Sequence, residues 1–226
     1  MPAEFSSIQA AVSAIGRGEV VIVVDAEDRE NEGDFICAAE KATPEVINFM
    51  LRGLGDFCMA ILPETCERLD LKPLVDSNTT RLETAFLTPL DHKSSRTGIT
   101  AQERSATVQA IVNPDSNSND FVRPGHVHLL LAKEGGVLRR AGHTEAAVDL
   151  TRMAGLQPGG VLCEILNQSG NRASRDELLQ IAKTHSLEII SIEELIAHRR
   201  LSEKLVSRTA TATLPTRYGD FHIIAF

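Results

Sequence analysis

Tryptophan is absent and tyrosine occurs once in 226 residues, so the core of this chain must be mostly aliphatic, with eight phenylalanines supplying nearly all its aromatic rings. Cysteine is scarce as well. Cys37, Cys58, Cys66 and Cys163 lie 21, 8 and 97 residues apart, which excludes a zinc knuckle or a C-x-x-C redox motif and reads as reduced thiols of a cytosolic protein. No apolar run approaches the ~18 residues of a membrane span, and no basic segment followed by an apolar one opens the chain, so neither anchor nor secretory signal is expected. Positive charge is in deficit. With 23 Lys and Arg against 31 Asp and Glu, the net charge of −8 excludes a broad nucleic-acid surface, while the pairs Arg139-Arg140 and Arg199-Arg200 leave room for a small anionic ligand. Repeats and low-complexity tracts are missing too, and the length suits one sizeable core.

What is abundant is carboxylate at one place. The run Asp25-Ala26-Glu27-Asp28-Arg29-Glu30-Asn31-Glu32-Gly33-Asp34 packs six acids into ten residues, directly after the apolar residues 20–24, which suit a buried strand. Such a loop is either solvated or neutralised by a cation. Around it, Ser6-Ser7 predicts a capped helix with Ile8, Ala11, Val12 and Ile15 on one face, stopping at Gly16 or Gly18. Thr43-Pro44-Glu45 predicts a second, with Val46, Phe49 and Met50 buried and Gly53 as its stop. Thr100-Ala101-Gln102-Glu103 is a capping box for a helix to about residue 112, followed by a polar loop over 113–120. Strands are expected at 127–131, 161–166 and 187–190, and a helix at 145–154. Further capping boxes are Ser174 with Glu177 and Ser191 with Glu194. The alternation predicts an α+β fold, a single layered domain with a mixed β-sheet flanked by helices.

Three segments could carry chemistry, each with a plainer alternative. The acidic run is also what a solvated turn looks like. Gly135-Gly136-Val137-Leu138-Arg139-Arg140-Ala141-Gly142-His143-Thr144-Glu145 places His143 and Thr144 at a helix start, where free N–H groups and an arginine attract phosphate, yet an ordinary capped helix with a surface histidine reads the same way. In Cys163-Glu164-Ile165, apolar neighbours suggest a partly buried carboxylate with a raised pKa, a credible acid or base, unless strand alternation turns Glu164 outward. Arg123-Pro124-Gly125-His126-Val127-His128 sets two histidines beside an expected turn, and either could be a satisfied structural group.

The order of these motifs decides more than any one of them. Glu-Asp-Arg-Glu-Asn-Glu-Gly-Asp, then Arg-Pro-Gly-His, then Gly-Gly-Val-Leu-x-Arg-x-Gly-His-Thr-Glu, then Cys-Glu, resembles 3,4-dihydroxy-2-butanone 4-phosphate synthase over residues 8–200. The resemblance implies a lyase that converts ribulose 5-phosphate to 3,4-dihydroxy-2-butanone 4-phosphate and formate in riboflavin biosynthesis, with magnesium or manganese as cofactor and a cytoplasmic homodimer as the working form. It implies Glu30 and His143 as metal ligands, and Arg29, Glu30, Asp34, Arg140, Ala141, Gly142, His143, Thr144 and Glu164 as substrate contacts. His126 and Glu164 are the implied catalytic residues. Cys58 and Thr97 align with positions near the site.

The chain departs from the usual pattern at pocket-wall positions. Ala26 stands where aspartate is common, Gly53-Leu54-Gly55-Asp56 replaces His-x-Ser-Gly, and Glu83 replaces a glycine. Val-His-Leu at 127–129 replaces Val-Phe-Pro, and Asn167-Gln168-Ser169-Gly170-Asn171 replaces an Asp-Asp-Gly-Thr turn. These departures motivate two rival readings, a catalytically weak paralogue that binds a phosphorylated ligand and a metal-dependent aldolase or isomerase on another sugar phosphate. Residues 1–200 are expected to form the synthase domain. Residues 201–226 resemble the junction into a GTP cyclohydrolase II module whose zinc-binding cysteines the sequence does not contain, so no cyclohydrolase activity is expected.

Overall fold

The computed structural model describes residues 5–204 and 206–226. Helix α1 (Ile8–Arg17) starts on the Ser7 side chain and ends at Gly18, whose φ of 83° places the C-cap in the left-handed region open to glycine. Strands β1 (Val21–Val24) and β2 (Gly33–Ala38) flank the acidic run. Helix α2 (Pro44–Met50) is capped by Thr43, and a 3-10 turn carries it to Gly53. Strand β3 (Leu54–Ile61), short helix α3 (Pro63–Arg68) and strand β4 (Phe86–His92) follow. Helix α4 (Ala101–Val112) carries the full Thr100–Glu103 capping box. Then come β5 (Phe121–Leu131), α5 (His143–Met153), β6 (Gly159–Ile165), α6 (Arg175–His185) behind the Ser174–Glu177 box, β7 (Ile189–Ser191) and α7 (Ile192–Ser202).

Seven strands form one mixed sheet in the order β4-β5-β3-β6-β2-β1-β7. The pairs β1–β7 and β3–β5 are parallel and the other neighbours antiparallel. Both faces are covered, and alternation along each strand divides the core in two. On one side Ile22, Val24, Phe35, Phe57, Met59, Leu129 and Val161 pack with α2, α4 and α6. On the other, Val21, Val23, Ile36, Ala60, Leu130 and Leu162 pack with α1, α5 and the start of α7. The α+β layered expectation holds, with helices on both faces.

Two expectations are corrected. Arg123-Pro124-Gly125-His126 is not beside a turn but inside β5, which begins at Phe121 and pairs with β4 through two register shifts. In α2 the fully buried side chains are Ile47 and Met50, with Val46 and Phe49 only partly covered. The chain divides into two compact units, the first ending at Ile196 and the second being Ala197–Phe226. The second unit holds the end of α7, which runs on to Ser202, and a hairpin of β8 (Ala210–Thr216) and β9 (Gly219–Ala225), closed across Thr216 and Gly219.

Candidate active site

The acidic run is folded by one of its own members. Asp25 is buried at the end of β1. Its Oδ1 accepts the Glu32 N–H at 2.9 Å, and its Oδ2 accepts the Glu30 N–H at 3.0 Å and Arg29 Nη1 at 2.8 Å. Arg29 also donates to the Glu30 carboxylate, and Arg172 donates to the Glu30 carbonyl. With Asp25 spent on the backbone, Glu30, Glu32 and Asp34 are free to face a cleft of about 220 Å³ on the α5 side of the sheet. That is below the ~300 Å³ at which pockets for drug-sized ligands begin, and it suits a small polar molecule.

The deep end of this cleft concentrates unpaired carboxylate. Asp34 and Glu164 lie directly opposite each other in the β2–β6 ladder, an arrangement that like charges destabilise. Asp34 Oδ1 and Glu164 Oε2 are buried without a hydrogen-bond partner. Burial pushes the Asp34 carboxyl up to about 7, with Glu164 and Glu32 adding to the rise, and it raises Glu164 likewise. Glu30 goes the other way, to about 2, because the His143 ring and then Arg29 favour its charged form over the cost of burial.

His143 completes this end from the first turn of α5. Its Nε2 lies 3.1 Å from the Val23 carbonyl, which can only accept, so Nε2 carries a hydrogen and Nδ1 is the variable position. Nδ1 faces Glu30 Oε2 at 3.8 Å and Asp34 Oδ1 at 3.9 Å. Burial alone would lower the His143 pKa, but Asp34, Glu30 and Asp25 outweigh it and raise it to about 9. Asp25, Glu30 and His143 are close enough to share an ion. Since Asp25 is already occupied, the donors available are Glu30, His143 and the unpaired Asp34 oxygen. Carboxylate oxygen with one imidazole fits a hard divalent cation.

The other end is basic. Arg140 Nε donates to the Leu82 carbonyl at 3.0 Å, Nη1 to buried Glu145 at 2.7 Å and Nη2 to Thr84 at 2.9 Å. Gly142 is the N-cap of α5. A Cβ there would lie 2.4 Å from Arg140 Nη1 and 2.9 Å from Arg29 Nη2, so the bare glycine lets two guanidiniums converge on the open N–H groups of a helix start, an anion site. Thr144 is buried in the same turn and lines the cleft.

The structure therefore brings together Arg29, Glu30, Asp34, Arg140, His143, Thr144 and Glu164 around one cleft, with Gly142 between the two arginines and Ala141 joining Arg140 to Gly142. His126 is not among the lining residues. It sits further along β5, with Nδ1 2.8 Å from Asp91 and its N–H donating to the same carboxylate at 2.9 Å. Thr97 bonds Glu103. Cys58 lines the cleft, and burial beside Asp56 and Glu164 raises its thiol pKa far above the ordinary value, so it is no nucleophile. Sequence reasoning missed Asp25 as the loop's organiser and Thr84 as the clamp on Arg140. It also missed Glu32, whose carboxyl is raised by burial and by Glu30.

Comparison with known proteins places the whole chain in a family. The sequence profile described as 3,4-dihydroxy-2-butanone 4-phosphate synthase matches residues 9–198. The chain belongs to that family. Among its relatives are the riboflavin biosynthesis proteins RibBA of Bacillus mycoides and Bacillus velezensis, each 52% identical over 223 residues, or 98% of this chain and 56% of theirs. The chain thus spans about half the length of these curated relatives. The crystal structure of RibBX, a two-domain 3,4-dihydroxy-2-butanone 4-phosphate synthase from A. baumannii, matches with a TM-score of 0.89 at 42% identity, covering 97% of this chain and 65% of that one. A 3,4-dihydroxy-2-butanone 4-phosphate synthase in complex with two magnesium ions matches at 0.82 and 37% identity, covering 89% of this chain and all of that one. Among the described residues no helix is long and apolar enough to cross a membrane.

Proposed function

We propose that this chain converts ribulose 5-phosphate to 3,4-dihydroxy-2-butanone 4-phosphate and formate, a step toward riboflavin, in the cytosol. The observation that carries the reading is the polarity of the cleft. One end holds buried carboxylates with unpaired oxygens beside Glu30 and His143, and the other holds two guanidiniums at a helix start. A sugar phosphate has the same two ends. Arg29, Arg140, Thr144 and the first N–H groups of α5 hold the phosphate, which fixes the carbon chain along the cleft.

Glu30 and His143 would hold magnesium or manganese, which when bound acidifies the C–H beside the sugar's carbonyl. Glu164 or Asp34 takes the C3 proton, both being carboxyls whose pKa burial raises, Asp34's to about 7. The enediol then loses the C1 hydroxyl, the skeleton rearranges and C4 leaves as formate. The atoms of the sugar phosphate equal those of the two products, so no oxidant or co-substrate is required. The resemblance alone makes His126 a catalytic residue, the working form a homodimer, and residues 201–226 a lead-in to a GTP cyclohydrolase II module. The test is to incubate pure protein with ribulose 5-phosphate and magnesium and to quantify formate. Formate is expected from the native chain and not from Glu164→Gln, and EDTA should abolish it. Equal formate from native chain and variant would refute the reading, and EDTA-resistant release would remove the metal from it.

A further inference from the structure

Beside the cleft, β3 and β5 bring together three side chains that the proposed chemistry does not use. Asp56 and Cys58 are two residues apart on β3 and face the same side, and His128 is the register partner of Cys58 on the parallel strand β5. Asp56 Oδ2 lies 2.7 Å from His128 Nδ1 and 3.6 Å from Cys58 Sγ. The three ligand atoms all fall within 4.8 Å of one another.

We propose that Asp56, Cys58 and His128 form a second cation site, for a thiophilic divalent ion such as zinc, at the rim of the cleft and distinct from the hard-cation site of Glu30 and His143. The donor set of one carboxylate, one sulfur and one imidazole is the borderline-soft mixture that zinc selects and magnesium does not. One edge already has the spacing a tetrahedral ion needs. Ligands at ~2.3 Å (sulfur) and ~2.0 Å (oxygen) on a tetrahedron stand about 3.5 Å apart, against the 3.6 Å between Cys58 Sγ and Asp56 Oδ2. The Asp56–His128 edge is held closed by a hydrogen bond and must open by about 0.6 Å to reach tetrahedral spacing. Both side chains are about half exposed (50% and 45%), so they have room to do so. Cys58 is the buried anchor and also lines the cleft. Its thiol, held protonated by burial beside Asp56 and Glu164 in the empty site, must give up its proton to solvent when an ion binds. The ion's remaining coordination position is open to water or to a molecule in the cleft.

The reduced full chain, kept in excess magnesium to fill the hard site, is titrated with cobalt(II) and read by the near-ultraviolet thiolate-to-cobalt charge-transfer band. A stoichiometric band is expected that zinc displaces. Cys58→Ser should abolish it, and His128→Ala and Asp56→Asn, which alter half-exposed groups and leave the fold intact, should each weaken cobalt binding at least tenfold. Glu30→Gln should leave the band unchanged. Absence of a band, its persistence in Cys58→Ser, unchanged affinity in both rim variants, or its loss in Glu30→Gln would each overturn the proposal. The readout does not depend on turnover, so it stands or falls separately from the proposed reaction.

Discussion

The two ends of the cleft are built on opposite principles. At the basic end every element is tied down, with Arg140 making hydrogen bonds through Nε, Nη1 and Nη2 to Leu82, Glu145 and Thr84. At the acidic end Asp34 and Glu164 each keep a buried oxygen with no hydrogen-bond partner, although such orphans are rare in native structures. The contrast teaches which groups must stay fixed and which must change. On the proposed reading a phosphate needs a permanent charge in one place, and the guanidiniums are clamped. On the same reading a proton or cation comes and goes at the other end, where the carboxylates are left unsatisfied.

The comparison can be broken first at its scaffold. Asp25→Ala leaves Arg29 without its buried partner and frees the Glu30 and Glu32 N–H groups, so unfolding in urea should show a loss of about 3 kcal/mol, the cost of breaking a buried ion pair, with magnesium binding lost as well. At the basic end, Gly142→Ala places a methyl 2.4 Å from Arg140 Nη1. KM for the sugar phosphate should rise about 10- to 100-fold, the worth of a displaced charge-assisted hydrogen bond, with little change in unfolding midpoint.

The acidic end should also respond to pH where the basic end does not. With His143 raised to about 9 in the empty site, its Nδ1 is protonated below that value, and a cation must displace the proton. Magnesium affinity measured by calorimetry should therefore climb about tenfold per pH unit toward 9 and then level. A flat profile from pH 7 to 9 would remove His143 from the ligand set. The smallest effect is expected at the rim of the basic end. Glu83 precedes the Arg140 clamp Thr84 and has a φ of 57°, the left-handed conformation that costs a non-glycine residue about 1 kcal/mol. Its 3.6 Å ion pair with Lys133 is exposed and contributes little. Glu83→Gly should leave thermal stability unchanged or raise it by up to about 1 kcal/mol, consistent with the glycine expected there from the family pattern.

Local chemistry was legible in the sequence wherever a residue acts on its neighbours. Ser7, Thr43, Thr100 and Ser174 all cap the helices they precede. Strand β2 was not legible, because it begins at Gly33-Asp34 within the acidic run and its four apolar residues, with no alternation, are too short a signal on their own. In β5 the Pro124-Gly125 pair reads as a turn but lies inside the strand, in the irregular stretch between Val122 and Val127, which pair with Asp91 and Leu90 of β4. The acidic run announced a site but not its division of labour. Nothing in six neighbouring carboxylates tells that Asp25 turns inward to hold the loop while Glu30 and Asp34 face His143, more than a hundred residues away. Nor could spacing alone bring Asp56 to His128, which lie 72 residues apart.

The central claim, that this two-ended cleft performs a carbon–carbon cleavage on ribulose 5-phosphate, is tested most directly with substrate carrying carbon-13 at C4. Followed by NMR in the presence of magnesium, the label should move into formate and leave a four-carbon phosphate unlabelled. Label retained in a five-carbon sugar phosphate, or released in an aldehyde fragment, would contradict the account and favour an isomerase or an aldolase.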